Sequence, residues 1–140
     1  MTLSTIPYPS EGSRTAVNVL VDSHCVLWWL IDQPMAQAAR AAIAEPANDV
    51  YVSTASLWEL EIKVALGKLR FDGDLLSEIH AAGMDWLPVQ AAHARAAGRL
   101  PAHHRDPFDR MLIAQATVEG FTVITHDRIF ERYEVKIISA

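Results

Sequence analysis

Short apolar runs rich in β-branched residues alternate along the chain with longer segments in which apolar residues recur every three or four positions. The short runs predict strands, because the strands of a buried parallel sheet are apolar on both faces. The segment "DWLPV" (85–89) predicts a further strand, and Pro88, which has no N–H to donate, places it at an edge or an end. The other predicted strands are "VNVLVD" (17–22), "NDVYVST" (48–54), "FTVIT" (121–125) and "VKIIS" (135–139).

The longer segments predict helices, and the apolar stretch "VLWWLI" (26–31) follows the first strand. Strands that alternate with helices are typical of an α/β fold built from βαβ units. We therefore expect a mainly parallel central sheet that is covered on both faces. Ligands of such folds bind at the carboxyl ends of the strands, near the position where the strand order reverses. The predicted helices cover 35–45, 56–69, 74–83, 91–100 and 107–119, with a short turn or helix at 127–133.

The composition is that of one globular domain. The chain has 140 residues, of which 51% are hydrophobic and 21% charged, and this length allows a substantial buried core. We expect the domain to cover residues 17–140, after a flexible N-terminal arm at 1–16 that is rich in Ser, Thr, Pro and Gly. The single cysteine, Cys25, excludes an internal disulfide framework. A chain without internal disulfides is expected in a reducing cytoplasm. The sequence also shows no apolar run of membrane length and no secretory signal pattern.

The formal net charge is −5 at pH 7. Affinity for phosphates normally comes from many lysine and arginine contacts, so this charge weighs against a protein that grips nucleic acid by a bulk positive field. An enzyme whose acidic groups bind a divalent cation is still compatible with this charge.

Five carboxylates lie where a predicted strand ends or a predicted helix begins. Asp22 closes the first strand, Asp127 lies two residues after "FTVIT", and Glu59 falls in the first turn of the helix after the second strand. Asp106 and Asp109 open the helix at 107–119. Carboxylates gathered at one edge of the sheet repel each other. A hard divalent cation such as Mg²⁺ or Mn²⁺, which prefers carboxylate oxygens and water, would relieve that repulsion.

Helix capping is the alternative explanation for most of these residues. Ser56 and Glu59 match a capping box, and Asp106 precedes proline at the first helical position. Asp127 can cap the segment that follows it, and Asp109 complements the helix dipole. The carboxylate that ends the first strand is harder to explain in this way, because a buried charge needs a partner or a metal.

Glu61 competes with Glu59 for a place in the candidate site. Glu61 lies off the predicted inward side of its helix, and Glu59 lies nearer to the end of the preceding strand, so Glu59 is the preferred candidate. The predicted inward side consists of Leu57, Trp58, Leu60 and Val64.

Two adjacent histidines precede the helix at 107–119. His103 and His104 could ligate a transition metal or orient a phosphate. Paired histidines in a proline-flanked loop are more often surface or substrate-facing groups, and both interpretations stay open.

Four segments in this order resemble the PIN-domain ribonucleases. They are "LVDSHCVLWWL", "VSTASLWELEIKVALGKL", "HHRDPFDRMLIAQA" and "TVITHD". The resemblance is strongest to the toxins of VapBC-type toxin–antitoxin pairs, and it covers residues 17–140. It implies a PIN-like three-layer α/β/α sandwich, a homodimer, and a cognate antitoxin that occludes the active site.

The resemblance also implies a chemistry and the residues for it. The protein would be a Mg²⁺- or Mn²⁺-dependent endoribonuclease, and the family's acidic quartet matches Asp22, Glu59, Asp109 and Asp127. Asp106 belongs to the variant "HRDPFDR" of the third motif and would act as a helper or a cap.

Three arginines lie close to the acidic motifs and could contact RNA phosphates. They are Arg105, Arg110 and Arg128. For each of them, a solvated side chain or a pair with a neighbouring acid is an equally good interpretation.

Other functions remain open at this point. A phosphohydrolase of the haloacid-dehalogenase type also begins with an aspartate after its first strand, but its second aspartate follows two residues later, where this chain has His24. An inactive α/β interaction module would use the acids as caps only. A nuclease that cuts DNA is a closer variant, because preference for the 2′-hydroxyl is not encoded in these residues.

Overall fold

The computed structural model of the protein describes residues 16–140. The predicted N-terminal arm therefore lies outside the described residues, except for Ala16. None of the helices in the described part of the chain is both long and apolar enough to cross a membrane.

Five strands form one sheet in which every neighbouring pair is parallel. Their order across the sheet is β3-β2-β1-β4-β5, so the mainly parallel sheet is confirmed. The strand that contains "DWL" lies at an edge, as the following proline predicts. The strands are β1 (Asn18–Val21), β2 (Asp49–Ser53), β3 (Asp85–Leu87), β4 (Thr122–Thr125) and β5 (Ile137–Ser139).

Six α-helices and one 3-10 helix connect the strands within residues 16–140. The apolar run after the first strand belongs to a helix that begins directly after Asp22. The helices are α1 (Ser23–Leu30), α2 (Gln37–Ala44), α3 (Thr54–Ala65), α4 (Leu75–Ala81), α5 (Ala91–Gly98) and α6 (Pro107–Glu119), with the 3-10 helix at Arg128–Arg132.

The helix α3 begins and ends earlier than the sequence pattern predicts. Ser53, rather than Ser56, is its N-cap, and the Ser53 hydroxyl oxygen accepts a hydrogen bond from the Ala55 amide at 3.0 Å. The Ser56 hydroxyl is buried without a hydrogen-bond partner in the described part of the protein. The predicted capping box of Ser56 and Glu59 is therefore wrong, and the Glu59 carboxylate is free of a capping role.

Apolar cores on both faces of the sheet give three layers. Val19 and Val21 of β1 pack with buried residues of α1, α2 and α4, while Leu20 between them packs with residues of α6 and the 3-10 helix. Successive residues of a strand point to opposite faces, so this division places helices on both sides. The three-layer α/β/α sandwich is confirmed.

The strand order reverses at β1. The chain runs outward from β1 through β2 to β3 and then returns to β4 on the other side of β1. The Asp22 amide donates to the Ile124 carbonyl at 3.0 Å, which keeps the ends of β1 and β4 together. The carboxyl ends of these two strands form the switch point, where a ligand of such a fold is expected.

Candidate active site

Asp22 lies buried at the end of β1, with only 4% of its surface exposed. Its Oδ1 accepts a hydrogen bond from the Cys25 amide at 2.9 Å and caps α1. Its Oδ2 accepts a hydrogen bond from the Thr125 hydroxyl at 2.5 Å. The buried charge thus has two donors from the protein itself.

The Thr125 hydroxyl connects Asp22 to Asp127. It donates to the Asp22 carboxylate, and its oxygen accepts a hydrogen bond from the Asp127 amide at 3.0 Å. The Asp127 side chain is about half exposed, and its Oδ1 caps the 3-10 helix through the Ile129 amide at 3.0 Å. Both aspartates line a cavity of about 470 Å³ at the switch point, together with His24, Trp28, His126 and Arg128.

Glu59 is also buried, and one hydrogen bond connects it to the start of α1. Its Oε1 accepts a hydrogen bond from the Ser23 hydroxyl at 2.8 Å. Its Oε2 lies 3.2 Å from Lys63 Nζ, one turn further along α3. Glu61 is exposed, so the preference for Glu59 over Glu61 agrees with their burial.

Asp106 and Asp109 have different roles at the start of α6. Asp106 is the N-cap, and its Oδ1 accepts hydrogen bonds from the Phe108 amide at 2.9 Å and the Asp109 amide at 3.1 Å. The Asp109 side chain points towards His104 instead, and its Oδ2 lies 2.7 Å from His104 Nε2.

His104 brings Asp109 and Asp127 together. Its Nε2 lies 2.7 Å from Asp109 Oδ2 and 3.8 Å from Asp127 Oδ2. Within residues 16–140, these three residues form the group whose potential metal-ligand atoms all lie within 4.8 Å of one another. Asp22 and Glu59 are outside that group. Asp22 is joined to it through Thr125 and Asp127.

Two other carboxylates contribute to the electrostatic environment of Asp109. Burial raises the pKa of Asp109 to about 6, the His104 hydrogen bond opposes this, and the charges of Asp106 and Glu59 raise it further. Glu59 therefore acts on the same charge centre although it is not in the three-residue group. Carboxylate oxygens with one imidazole nitrogen are a donor set that suits a divalent cation, and they fit the cation that the resemblance implies.

The three arginines differ in their availability to a substrate. Arg105 is exposed, and Arg128 is exposed at the rim of the switch-point cavity, 3.6 Å from Glu131. Arg110 has a structural role that argues against phosphate binding, because both of its terminal nitrogens donate to backbone carbonyls. The four acceptors, at 2.8–3.1 Å, belong to Ala97, Leu100, Pro101 and His104.

An apolar groove of about 580 Å³ lies between the first turns of α3 and α6. Trp58 is 64% exposed there and packs edge-on against Phe108 with ring centroids 5.4 Å apart. The expectation that Trp58 points inward is therefore wrong. Trp58 lies at the edge of the apolar face of α3. One side of its ring contacts Phe108 of α6, and the other side is exposed. The groove is lined by Thr54, Ala55, Trp58, Val89, Pro107, Phe108 and Met111.

His104 and Thr125 were not among the preferred site residues of the sequence. His104 stands two residues before the N-cap of α6, and the doubled histidine was compatible with a surface loop. Thr125 reads as an ordinary β-branched strand residue. Its position as the last residue of β4, directly opposite the end of β1, is the signal that links it to the switch point.

The fold and the acidic side chains define a parallel α/β protein with a candidate cation site at its switch point. The chain belongs to the PIN-domain family, which matches residues 19–136. It is similar to Ribonuclease VapC22 from Mycobacterium tuberculosis (strain ATCC 25618 / H37Rv), with 30% identity over 122 residues. That similarity covers 79% of this chain and 87% of the relative. The family resemblance is thereby confirmed.

Solved structures of VapBC complexes have the same fold. VapBC2 from Rickettsia felis, bound to a DNA fragment from its promoter, has a TM-score of 0.68 at 14% identity, covering 88% of this chain and 98% of that chain. VapBC-5 from Mycobacterium tuberculosis has a TM-score of 0.59 at 23% identity, covering 89% of this chain and 99% of that chain. At such identities the likeness shows the fold alone, and it agrees with the PIN-like sandwich.

The structure does not support covalent catalysis with Asp22 or with Cys25 as the nucleophile. Both carboxylate oxygens of Asp22 accept hydrogen bonds in a buried position, which is unfavourable for the nucleophile of a haloacid-dehalogenase-type phosphohydrolase. The similarity to a PIN-domain ribonuclease gives that alternative no support either. Burial and the negative charge of Asp22 raise the pKa of the Cys25 thiol, so Cys25 is not an activated thiolate.

Proposed function

We propose that this chain is a Mg²⁺- or Mn²⁺-dependent endoribonuclease that acts as the toxin of a type II toxin–antitoxin pair. The observation that carries the proposal is the meeting of Asp109 and Asp127 at His104, beside the buried Asp22, at the switch point of a PIN-domain fold. The similarity to a curated ribonuclease supports RNA as the substrate.

The residues for the cation are Asp22, Asp109 and Asp127, with Glu59 close enough to act on the charge of Asp109. When bound, a divalent cation would stabilise charge on the scissile phosphate and lower the pKa of an attacking water. Asp106 serves as the cap of α6.

Two hydroxyl groups and one lysine contact the carboxylates of the site. Thr125 orients Asp22 and the backbone of Asp127, and Ser23 orients Glu59. Lys63 lies against Glu59 and offsets part of the negative charge of the site. Such fixed hydrogen bonds orient ligands in advance, so less reorganisation is needed when the charge of the transition state develops.

Arg128 and Arg105 are the arginines that remain available to RNA phosphates. Arg128 stands at the rim of the cavity that Asp22 and Asp127 line, where a phosphodiester would approach. Each arginine would offer paired N–H donors to a phosphate. Arg110 is excluded from this proposal because its terminal nitrogens hold the backbone.

The proposed partners are RNA, a cognate antitoxin and a second copy of the chain. The solved relatives include toxin–antitoxin complexes, and one of them is described as a member of the VapBC family of toxin-antitoxin systems. We propose that an antitoxin covers the acidic site of this chain and that the toxin is a homodimer. A cytoplasmic location is proposed with this function and agrees with a single, buried cysteine.

Cleavage of single-stranded RNA by the purified chain tests the proposal. We expect cleavage with Mg²⁺ or Mn²⁺, none after addition of a chelator, and recovery when the cation is restored. Asp109→Asn should lower the rate by at least roughly a hundredfold, because it removes a charged ligand while keeping the side-chain shape. Circular dichroism checks that this variant is folded.

A DNA strand of the same base sequence serves as the comparison substrate, since only RNA carries the 2′-hydroxyl. Cleavage at the wild-type rate by the folded Asp109→Asn variant, or cleavage that persists in excess chelator, would contradict the proposal. Equal cleavage of the DNA strand would replace the ribonuclease assignment with a general nuclease.

A further inference from the structure

His104 stands inside the group of candidate ligands. Its Nε2 is 2.7 Å from an oxygen of Asp109 and 3.8 Å from an oxygen of Asp127, so the imidazole lies between two carboxylates that come from different motifs. The side chain is only 20% exposed, whereas the neighbouring His103 is an exposed residue. Of the two adjacent histidines, His104 therefore lies in the group of candidate ligands and His103 lies at the surface.

The backbone of His104 is held at its amide by Tyr133 and at its carbonyl by Arg110. Its amide donates to the Tyr133 hydroxyl oxygen at 2.9 Å, and that hydroxyl donates to the Pro101 carbonyl at 2.8 Å. Its carbonyl accepts a hydrogen bond from Arg110 Nη1 at 3.1 Å. Tyr133 is itself buried in the core around α6. A loop residue fixed by two such contacts is prepared for a defined geometry, as a metal ligand must be.

The two kinds of donor in the group prefer different cations. Mg²⁺ binds oxygen ligands and water and demands a near-ideal octahedral arrangement. Imidazole nitrogen suits first-row transition metals better, and among these Mn²⁺ also accepts carboxylate oxygens. One nitrogen among carboxylates therefore shifts the preference of a site from Mg²⁺ towards Mn²⁺.

We propose that His104 is a direct ligand of the cation through Nε2, together with Asp109 and Asp127, and that it makes this site bind Mn²⁺ more tightly than Mg²⁺. The inference rests on the proposed cation site and adds a nitrogen ligand to its acidic residues. His104 and Asp109, which share a hydrogen bond in this structure, would both hold the ion when it is bound. Tyr133 acts as a positioning residue for this ligand.

Pulsed electron paramagnetic resonance of the Mn²⁺-loaded protein tests the ligand directly. A coordinated imidazole nitrogen gives a ¹⁴N modulation of the Mn²⁺ echo, which becomes a ¹⁵N pattern when the protein is made with ¹⁵N-histidine. We expect this modulation in the wild type and in His103→Gln, and its loss in His104→Gln. His103→Gln is the matched control, because it changes the adjacent histidine, whose ring packs edge-on against Tyr133 outside the ligand group.

Calorimetric titration with Mn²⁺ alone and with Mg²⁺ alone tests the selectivity. We expect His104→Gln to lower the ratio of the Mn²⁺ to the Mg²⁺ association constant by about tenfold or more. Residues that only hydrogen-bond to a metal ligand already change metal affinity by about this factor, and a direct ligand should have at least the same effect. His103→Gln should leave the ratio unchanged. If His104 only orients Asp109, His104→Gln will lower the affinity for Mn²⁺ and for Mg²⁺ by the same factor. The Mn²⁺-loaded wild type will then show no ¹⁴N modulation from a histidine.

The outcomes separate this inference from the proposed function. Mn²⁺ binding that depends on Asp109 and Asp127 but shows no histidine modulation overturns the nitrogen ligand and leaves the acidic site intact. Modulation that persists in His104→Gln overturns the assignment to this residue. Mn²⁺ binding that is indifferent to Asp109→Asn and Asp127→Asn overturns the proposed cation site itself. If His104→Gln does not fold, the ¹⁵N-histidine wild type is compared with single glutamine variants of the other five histidines, His24, His80, His93, His103 and His126, and modulation that survives in all of them assigns the nitrogen to His104 by elimination.

Discussion

The hydroxyl of Thr125 forms hydrogen bonds with two of the candidate site residues. It donates to one carboxylate oxygen of the buried Asp22 and accepts the backbone N–H of Asp127, so it joins the ends of β1 and β4. Thr125 is itself almost fully buried. Removing the hydroxyl without changing the side-chain shape would leave a buried charge with one donor fewer.

We expect Thr125→Val to lower the free energy of unfolding by about 1–3 kcal/mol in the absence of metal, because the buried Asp22 carboxylate and the partly buried Asp127 amide both lose a hydrogen-bond partner. Thr125→Ser keeps the hydroxyl and should cost less. Urea denaturation followed by circular dichroism measures both variants. Equal stability of Thr125→Val and the wild type would show that the hydroxyl does not support Asp22.

Asp106 and Asp109 show why neighbouring acids in one motif need separate tests. Asp106 caps α6 through two backbone amides, whereas Asp109 faces His104. Asparagine caps a helix about as well as aspartate does, but it binds a cation much more weakly. The substitution to asparagine therefore separates capping from ligation.

For Asp106→Asn we expect stability within about 0.5 kcal/mol of the wild type and RNA cleavage close to the wild-type rate. Asp106→Ala removes the cap and should lower the free energy of unfolding by about 1 kcal/mol. Chemical denaturation and the cleavage assay check the two effects separately. A loss of cleavage in Asp106→Asn as large as in Asp109→Asn would make Asp106 a ligand.

At the scale of elements, the loop between α5 and α6 determines where His104 lies. Arg110, in the first turns of α6, donates to four carbonyls that range from the end of α5 to His104. Tyr133, beyond the 3-10 helix, contacts the same loop. This loop has no regular secondary structure between residues 99 and 106, so these side chains supply the hydrogen bonds that a helix or strand would supply.

Arg110→Lys is expected to lower the free energy of unfolding by about 1–3 kcal/mol, because one ammonium group does not reach four carbonyls that a planar guanidinium serves. Arg105→Lys is the matched control on the same loop, and its exposed side chain predicts a change within about 0.5 kcal/mol. Thermal or urea denaturation measures both. Equal effects of the two substitutions would contradict the structural role of Arg110.

The elements were predictable where the local chemistry is unambiguous. The proline and aspartate that open α6 determine its start, and the apolar runs of β1 and β4 indicate a buried parallel sheet. The start of α3 was not predictable, because either Ser53 or Ser56 can cap a helix, and in the structure Ser53 both ends β2 and caps α3. The position of His104 was not predictable either, since it depends on Tyr133, which lies 29 residues away.

On the scale of the whole molecule, the topology gathers acids from distant parts of the chain. The reversal of strand order at β1 places Asp22 and Asp127 at adjacent strand ends, and α6 brings Asp109 to the same edge. Burial then raises the pKa of Asp109 to about 6, with further contributions from Asp106 and Glu59. A divalent cation would turn this unfavourable concentration of charge into a binding site, and the net charge of −5 would be no obstacle to an RNA substrate.

The most direct test of this account is a calorimetric titration of the full chain with Mn²⁺, carried out beside the double variant Asp109→Asn/Asp127→Asn. The account predicts saturable binding by the wild type and a loss of at least about tenfold in affinity in the double variant, because two of the charged ligands are removed. Circular dichroism confirms that both proteins are folded. Binding of Mn²⁺ with the same affinity by both proteins, or no binding by the folded wild type, would contradict it.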